Sequence, residues 1–163
     1  MNEKNISNYL IEPGYIYYPD IQTKISAVLG SCVSVAIYDS KNKTGGMNHF
    51  LYPDKKHHDQ PRSIFGDIST KALIKMMIKN GARKKHLEAQ IFGGAFNDQI
   101  SSENIGKKNI LTARQILIQE NIKITSEDTG GNKGRKVIFD TFTNEIVIIR
   151  VDKLRQTDWY PYI

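Results

Sequence analysis

Apolar and polar residues alternate over 33–38. Val33, Val35 and Ile37 interleave with Ser34, Ala36 and Tyr38, which predicts a strand with one buried face. The polar run Asp39-Ser40-Lys41-Asn42-Lys43 breaks the alternation and reads as a turn. Residues 47–52 then read as a returning strand, stopped by Pro53-Asp54. With the hairpin centre between Ser40 and Lys41, Cys32 and His49 stand opposite each other; a bulge at Gly45-Gly46 would shift that register.

The rest of the chain is an alternation of short strands with two helices. Residues 1–10 read as a loose lead-in, 15–18 as a first strand ended by Pro19-Asp20, and 25–29 as a strand delivering Gly30-Ser31-Cys32. Ile68, Ala72, Leu73, Met76 and Met77 share one face of a helix over 65–80, closed by Gly81. Strand periodicity returns at 87–92, ahead of Gly93-Gly94, and a second helix over 106–121 sets Ile110, Leu111, Ala113, Ile116 and Leu117 on its apolar side. Further strands follow from Ile122, over 136–139, and over 145–151; the near-continuous apolar run of the last predicts burial on both faces. Strands outnumber helices, so the class is α+β: one domain of mixed sheets with two main helices outside. Residues 1–13 form a lead-in, 14–152 the domain, and 153–163 an aromatic tail that covers a groove or helps self-association.

Composition narrows the function. A length of 163 residues suits one domain, with 39% hydrophobic and 25% charged residues. No apolar run approaches the roughly 20 residues that span a bilayer, so membrane insertion is not expected. The N-terminus carries no apolar signal core, and one cysteine cannot form an internal disulfide, which fits a reducing cytoplasm. The net charge of +6 comes from scattered Lys and Arg, without the clustered basic and aromatic pattern that nucleic-acid binding calls for. His57-His58 lack companions at metal-ligand spacing and read as surface loop; no metal or cofactor is expected. The Gly-rich segment 129–135 lacks the G-x-x-x-x-G-K-[ST] pattern followed by a helix, which rejects nucleotide binding.

The candidate chemistry is the thiol–imidazole pair. A thiolate is the nucleophile, and a nearby imidazole can take its proton and later return one to a leaving group. Ser26, on the strand leading into the cysteine turn, offers a hydroxyl to orient the ring. Gly30 suits a sharp turn, in which the Ser31 and Cys32 amides can face an oxyanion. The competing reading of Cys32 is a small buried hydrophobe.

Several ordered blocks carry a resemblance. LGSC-V-x-V-x-I-Y-D, G-G-M-N-H-F-x-x-P, Ile91 to Ala95, Asn104 to Asn109 and Asp128 to Val137 resemble CheD, the chemoreceptor glutamine deamidase family of bacterial chemotaxis, over about 14–150. The resemblance implies a three-layer sandwich. It makes Cys32 the nucleophile and His49 its partner, and puts Ser26 where the family usually has Thr. It also sets Gly93 and Gly94, with Asn48, as candidates for a substrate-facing wall. The implied reaction converts receptor glutamines to glutamate and releases ammonia. The implied partners are methyl-accepting chemoreceptors and a CheC-type phosphatase, with receptor methylester hydrolysis as a related activity. The alternative is an adaptor that docks on receptors or the phosphatase without catalysis.

Overall fold

A seven-residue strand with no exposed position lies at the centre of the molecule. The computed structural model describes residues 5–54 and 62–154. Among these the elements run β1 (Ser7–Leu10), β2 (Ile16–Tyr17), β3 (Thr23–Leu29), β4 (Val33–Asp39), β5 (Thr44–Asn48), α1 (Gly66–Lys79), β6 (Leu87–Gly93), α2 (Ile105–Gln119), β7 (Lys123–Thr129), β8 (Gly134–Asp140) and β9 (Ile146–Val151). They form a four-stranded sheet, β1-β3-β8-β9, and a five-stranded sheet, β2-β5-β4-β6-β7. Both sheets are mixed: β1 runs parallel to β3 and β6 parallel to β7, the other pairs being antiparallel. This is the α+β sandwich the sequence predicts.

β4 belongs to two cores at once. Val33, Val35 and Ile37 pack with Leu73, Ile74 and Met77 of α1 and Ala113, Ile116 and Leu117 of α2. Ala36 and Tyr38, on the other face, pack with Ile25, Ala27, Val137 and Phe139 of the four-stranded sheet. The alternation predicts one buried face for β4, and the structure buries both. Small Ser34 and Ala36 let the second sheet approach, and the Tyr38 hydroxyl donates to the Phe142 carbonyl at 2.7 Å. β9, read as buried on both faces, is an edge strand with Val147 and Ile149 about half exposed. The lead-in also differs, since residues 7–10 are a strand paired to β3.

The hairpin register moves by one step. Ala36 pairs with Met47 and Asp39 with Thr44, which centres the turn between Lys41 and Asn42. The Asp39 carboxylate fixes this turn by accepting from the Lys41 and Asn42 amides, and Lys43 closes it at φ 57°. Gly45 and Gly46 lie inside β5 in regular register, because side chains there would run into Phe139 and Leu73. Each helix is rotated slightly from its expected face. Met76 and Leu111 are exposed at 36% and 50%, while Thr70 and Asn109 are fully buried. Residues 57–58 and the tail from 155 onward lie outside the described residues.

Candidate active site

In this register the residue opposite Cys32 is Leu51, and His49 lies diagonally across. Val33 and Phe50 form the last regular bridge, exchanging hydrogen bonds of 3.1 and 2.9 Å. Both side chains point to the helices, so by strand alternation Cys32 and His49 share the opposite face. Diagonal neighbours on one face lie about 7–8 Å apart at Cα, within reach of an imidazole. The hairpin therefore brings the two together as diagonal neighbours rather than as a facing pair.

The ladder opens at His49 because Asn48 occupies it. The Val35 amide, which would meet a backbone carbonyl there, donates instead to Asn48 Oδ1 at 2.8 Å. Asn48 Nδ2 donates to Thr70 Oγ1 on α1 at 3.2 Å. His49 turns its backbone to the other neighbour, donating to the Tyr15 carbonyl at 3.1 Å and accepting from the Gly14 amide at 2.8 Å. Gly14 adopts φ 89°, a conformation that suits glycine. Asn48, a wall candidate in the sequence, is fully buried and shapes the strand.

The imidazole is held from below. Its Nδ1 lies 3.0 Å from the Ile11 carbonyl. A carbonyl only accepts, so Nδ1 carries the proton and Nε2 is the basic nitrogen. The sequence reading assigns the orienting role to the Ser26 hydroxyl. That hydroxyl donates to the Tyr9 carbonyl, at 3.5 Å. It is the Ser26 backbone carbonyl that enters the site, accepting from the Ile11 amide at 2.8 Å and so fixing the residue that holds His49.

The cysteine turn is pinned through its carbonyls. Gly30 O accepts from the Ala95 amide and Cys32 O from the Gly94 amide, both at 2.8 Å. Ser31 O accepts from Asn109 Nδ2 at 3.0 Å, and the same nitrogen donates to Leu51 O at 2.8 Å. Gly93 has φ 101°, and a Cβ there would sit 2.3 Å from the Cys32 carbonyl oxygen. Gly93 and Gly94 thus back the turn; Gly94 also lines a cleft of about 580 Å³ with Phe96, Asn104, Lys107 and Asn132. Cys32 and His49 are each 2% exposed, so both members of the pair are buried.

Two contributors escaped the sequence reading. Ile11 acts through a main-chain carbonyl, which no side-chain pattern reports. Asn109 does leave a signal, because helical spacing from Gly106 to Ala113 puts it on the buried face among apolar residues.

Among the described residues no helix is long and apolar enough to cross a membrane. A model of the family described as CheD chemotactic sensory transduction matches residues 51–150, beginning just after His49. A probable chemoreceptor glutamine deamidase CheD of Clostridium acetobutylicum is 38% identical over 130 residues, covering 76% of this chain and 78% of its own. The similarly named protein of Clostridium novyi is 42% identical over 123 residues, or 72% and 76% of the two chains. That of Trichlorobacter lovleyi is 36% identical over 147 residues, or 89% and 91%. A family model over most of the chain, and relatives this similar over three quarters or more of their own length, lead to one assignment: the chain belongs to the CheD family.

Proposed function

We propose that this protein is a protein-glutamine deamidase that converts glutamines on the cytoplasmic helices of chemoreceptors to glutamate, with Cys32 as nucleophile and His49 as its acid–base partner. The observation that carries this reading is the 3.0 Å contact between His49 Nδ1 and the Ile11 carbonyl, from which we assign the proton to Nδ1 and the base to Nε2, in a ring on the thiol's face of the strand pair. Related proteins named as chemoreceptor glutamine deamidases support the substrate.

Nε2 takes the proton of the Cys32 thiol. The thiolate attacks the side-chain amide carbon of glutamine, a C–S bond forms, and the carbonyl π pair moves to oxygen. The Ser31 and Cys32 amides stabilise that oxyanion: in trans peptides each N–H points opposite its carbonyl, and the carbonyls of Gly30 and Ser31 are tied to Ala95 and Asn109. Collapse breaks the C–N bond, and His49 gives its proton to departing ammonia. His49 then deprotonates a water that attacks the thioester; the C–S bond breaks, leaving glutamate and the thiol. No step calls for a metal. A glutamine carboxamide extends two methylenes from its backbone, which gives it reach toward a buried pair. Exposed Leu10 and Tyr15 flank Ile11 and the His49 strand, giving an apolar rim for an amphipathic helix. The same reading takes a CheC-type phosphatase as a partner and the cytoplasm as the setting.

Incubation with a receptor cytoplasmic fragment tests the reading. The parent protein should add about one dalton per modified glutamine. Cys32→Ala should add none while still binding the fragment. Full deamidation by Cys32→Ala would remove the thiol from the mechanism, and absence of activity in the parent protein would favour a docking role.

A further inference from the structure

The geometry points to Asn109 as a positioning residue for deamidation, one that aims the Ser31–Cys32 peptide at the reacting carbonyl. The inference rests on the Cys32–His49 reading. In a regular ladder, Ser31 would be the next bonded position beyond the Val33–Phe50 bridge, with Tyr52 as its partner. Here the Tyr52 amide donates to the Ile64 carbonyl at 3.1 Å, and the strands diverge. The Asn109 carboxamide sits in the fork. Its Nδ2 bonds the Ser31 carbonyl on one arm and the Leu51 carbonyl on the other, so one side chain ties the cysteine turn to the strand that follows His49.

The Ser31 carbonyl and the Cys32 N–H belong to the same trans peptide, and the described chain holds no cis bond. Fixing that carbonyl on Asn109 fixes the direction of the Cys32 N–H. α2 is itself held in place. Its Gly106 packs against the carbonyls of Gly94 and Ala95, where a Cβ would come within 2.3 and 2.5 Å, and Asn104 caps the helix by accepting from the Lys107 amide at 2.9 Å. Asn109 is 0% exposed, so its amide is set by packing.

The test compares the parent with Asn109→Asp and Asn109→Ala, using ammonia release from a chemoreceptor cytoplasmic fragment and alkylation of Cys32 by iodoacetamide. Loss of one oxyanion donor typically costs about 100-fold or more in turnover, and misaiming a donor that is still present costs less, so kcat should fall by roughly 10- to 100-fold with KM within about twofold. Alkylation needs the thiolate and no oxyanion, so its rate should stay within about threefold. Turnover near the parent value in either folded variant overturns the proposal. So does a fall in alkylation as large as the fall in kcat, or failure of both variants to fold, since each makes Asn109 a general packing residue. A parallel Cys32→Ala arm separates this from the underlying reading: activity surviving there sinks the nucleophile, whereas an inactive Cys32→Ala beside a fully active Asn109→Ala sinks only the role of Asn109.

Discussion

The imidazole of His49 depends on a carbonyl four strands earlier in the chain, and this changes what Ser26 does. The ring leans on Ile11 O, and Ile11 leans on Ser26 O, so the support passes through backbone at both steps. Ser26→Ala keeps that backbone. Its kcat should remain within about threefold of the parent; a fall of about 100-fold, the usual scale for losing acid–base catalysis, would put the hydroxyl back on the imidazole. The residue types of the site were legible, since a cysteine after Gly-Ser and a histidine on the returning strand are visible in the chain. The atom that orients the ring was not, because a carbonyl belongs to every residue and only the register of β1 on β3 selects the one at Ile11.

At the scale of elements, two strands exchanged the burial that their patterns suggested. β4 alternates and is central; β9 is nearly continuously apolar, broken only by Arg150, and lies at an edge. Alternation reports one wet face only when the second set of residues is too polar or too large to bury, and Ser34, Ala36 and Tyr38 are neither once Tyr38 has Phe142 as a partner. Register was equally hidden: the Asp39 carboxylate fixes the turn, and Gly45 and Gly46 leave the room that Phe139 and Leu73 occupy. The turn between β3 and β4 has its own requirement at the end of β6. Gly93→Ala adds a methyl against the Cys32 carbonyl at a left-handed φ, and should cost at least about 1–3 kcal/mol in denaturant unfolding together with most of the activity. A variant as stable and active as the parent would mean that β6 can move away from the cysteine turn.

At the scale of the whole molecule, one carboxylate at the end of the four-stranded sheet sets an acid limit on stability. Asp140 ends β8. Burial pushes its carboxyl upward, but hydrogen bonds from the Phe142 amide, Gln22 and the Thr143 amide outweigh this and hold it below the usual carboxylate range. Because the folded value is depressed, the stabilisation is complete above the unfolded value of about 3.9 and is lost as pH falls through the folded one. The gap in urea midpoint between the parent and Asp140→Asn should therefore be wide at neutral pH and close below about pH 4. A gap unchanged down to about pH 2 would show that charge at Asp140 contributes nothing.

The central claim is that the sulfur of Cys32 carries the acyl group of a receptor glutamine, and intact-mass capture of that intermediate tests it most directly. Acid quenching of the protein during turnover of a glutamine-bearing receptor peptide should yield a Cys32 adduct equal to the peptide less one ammonia. The adduct should be cleaved by hydroxylamine and be absent from Cys32→Ala. Sustained deamidation by Cys32→Ala, with no such adduct in the parent at any quench time, would contradict the account.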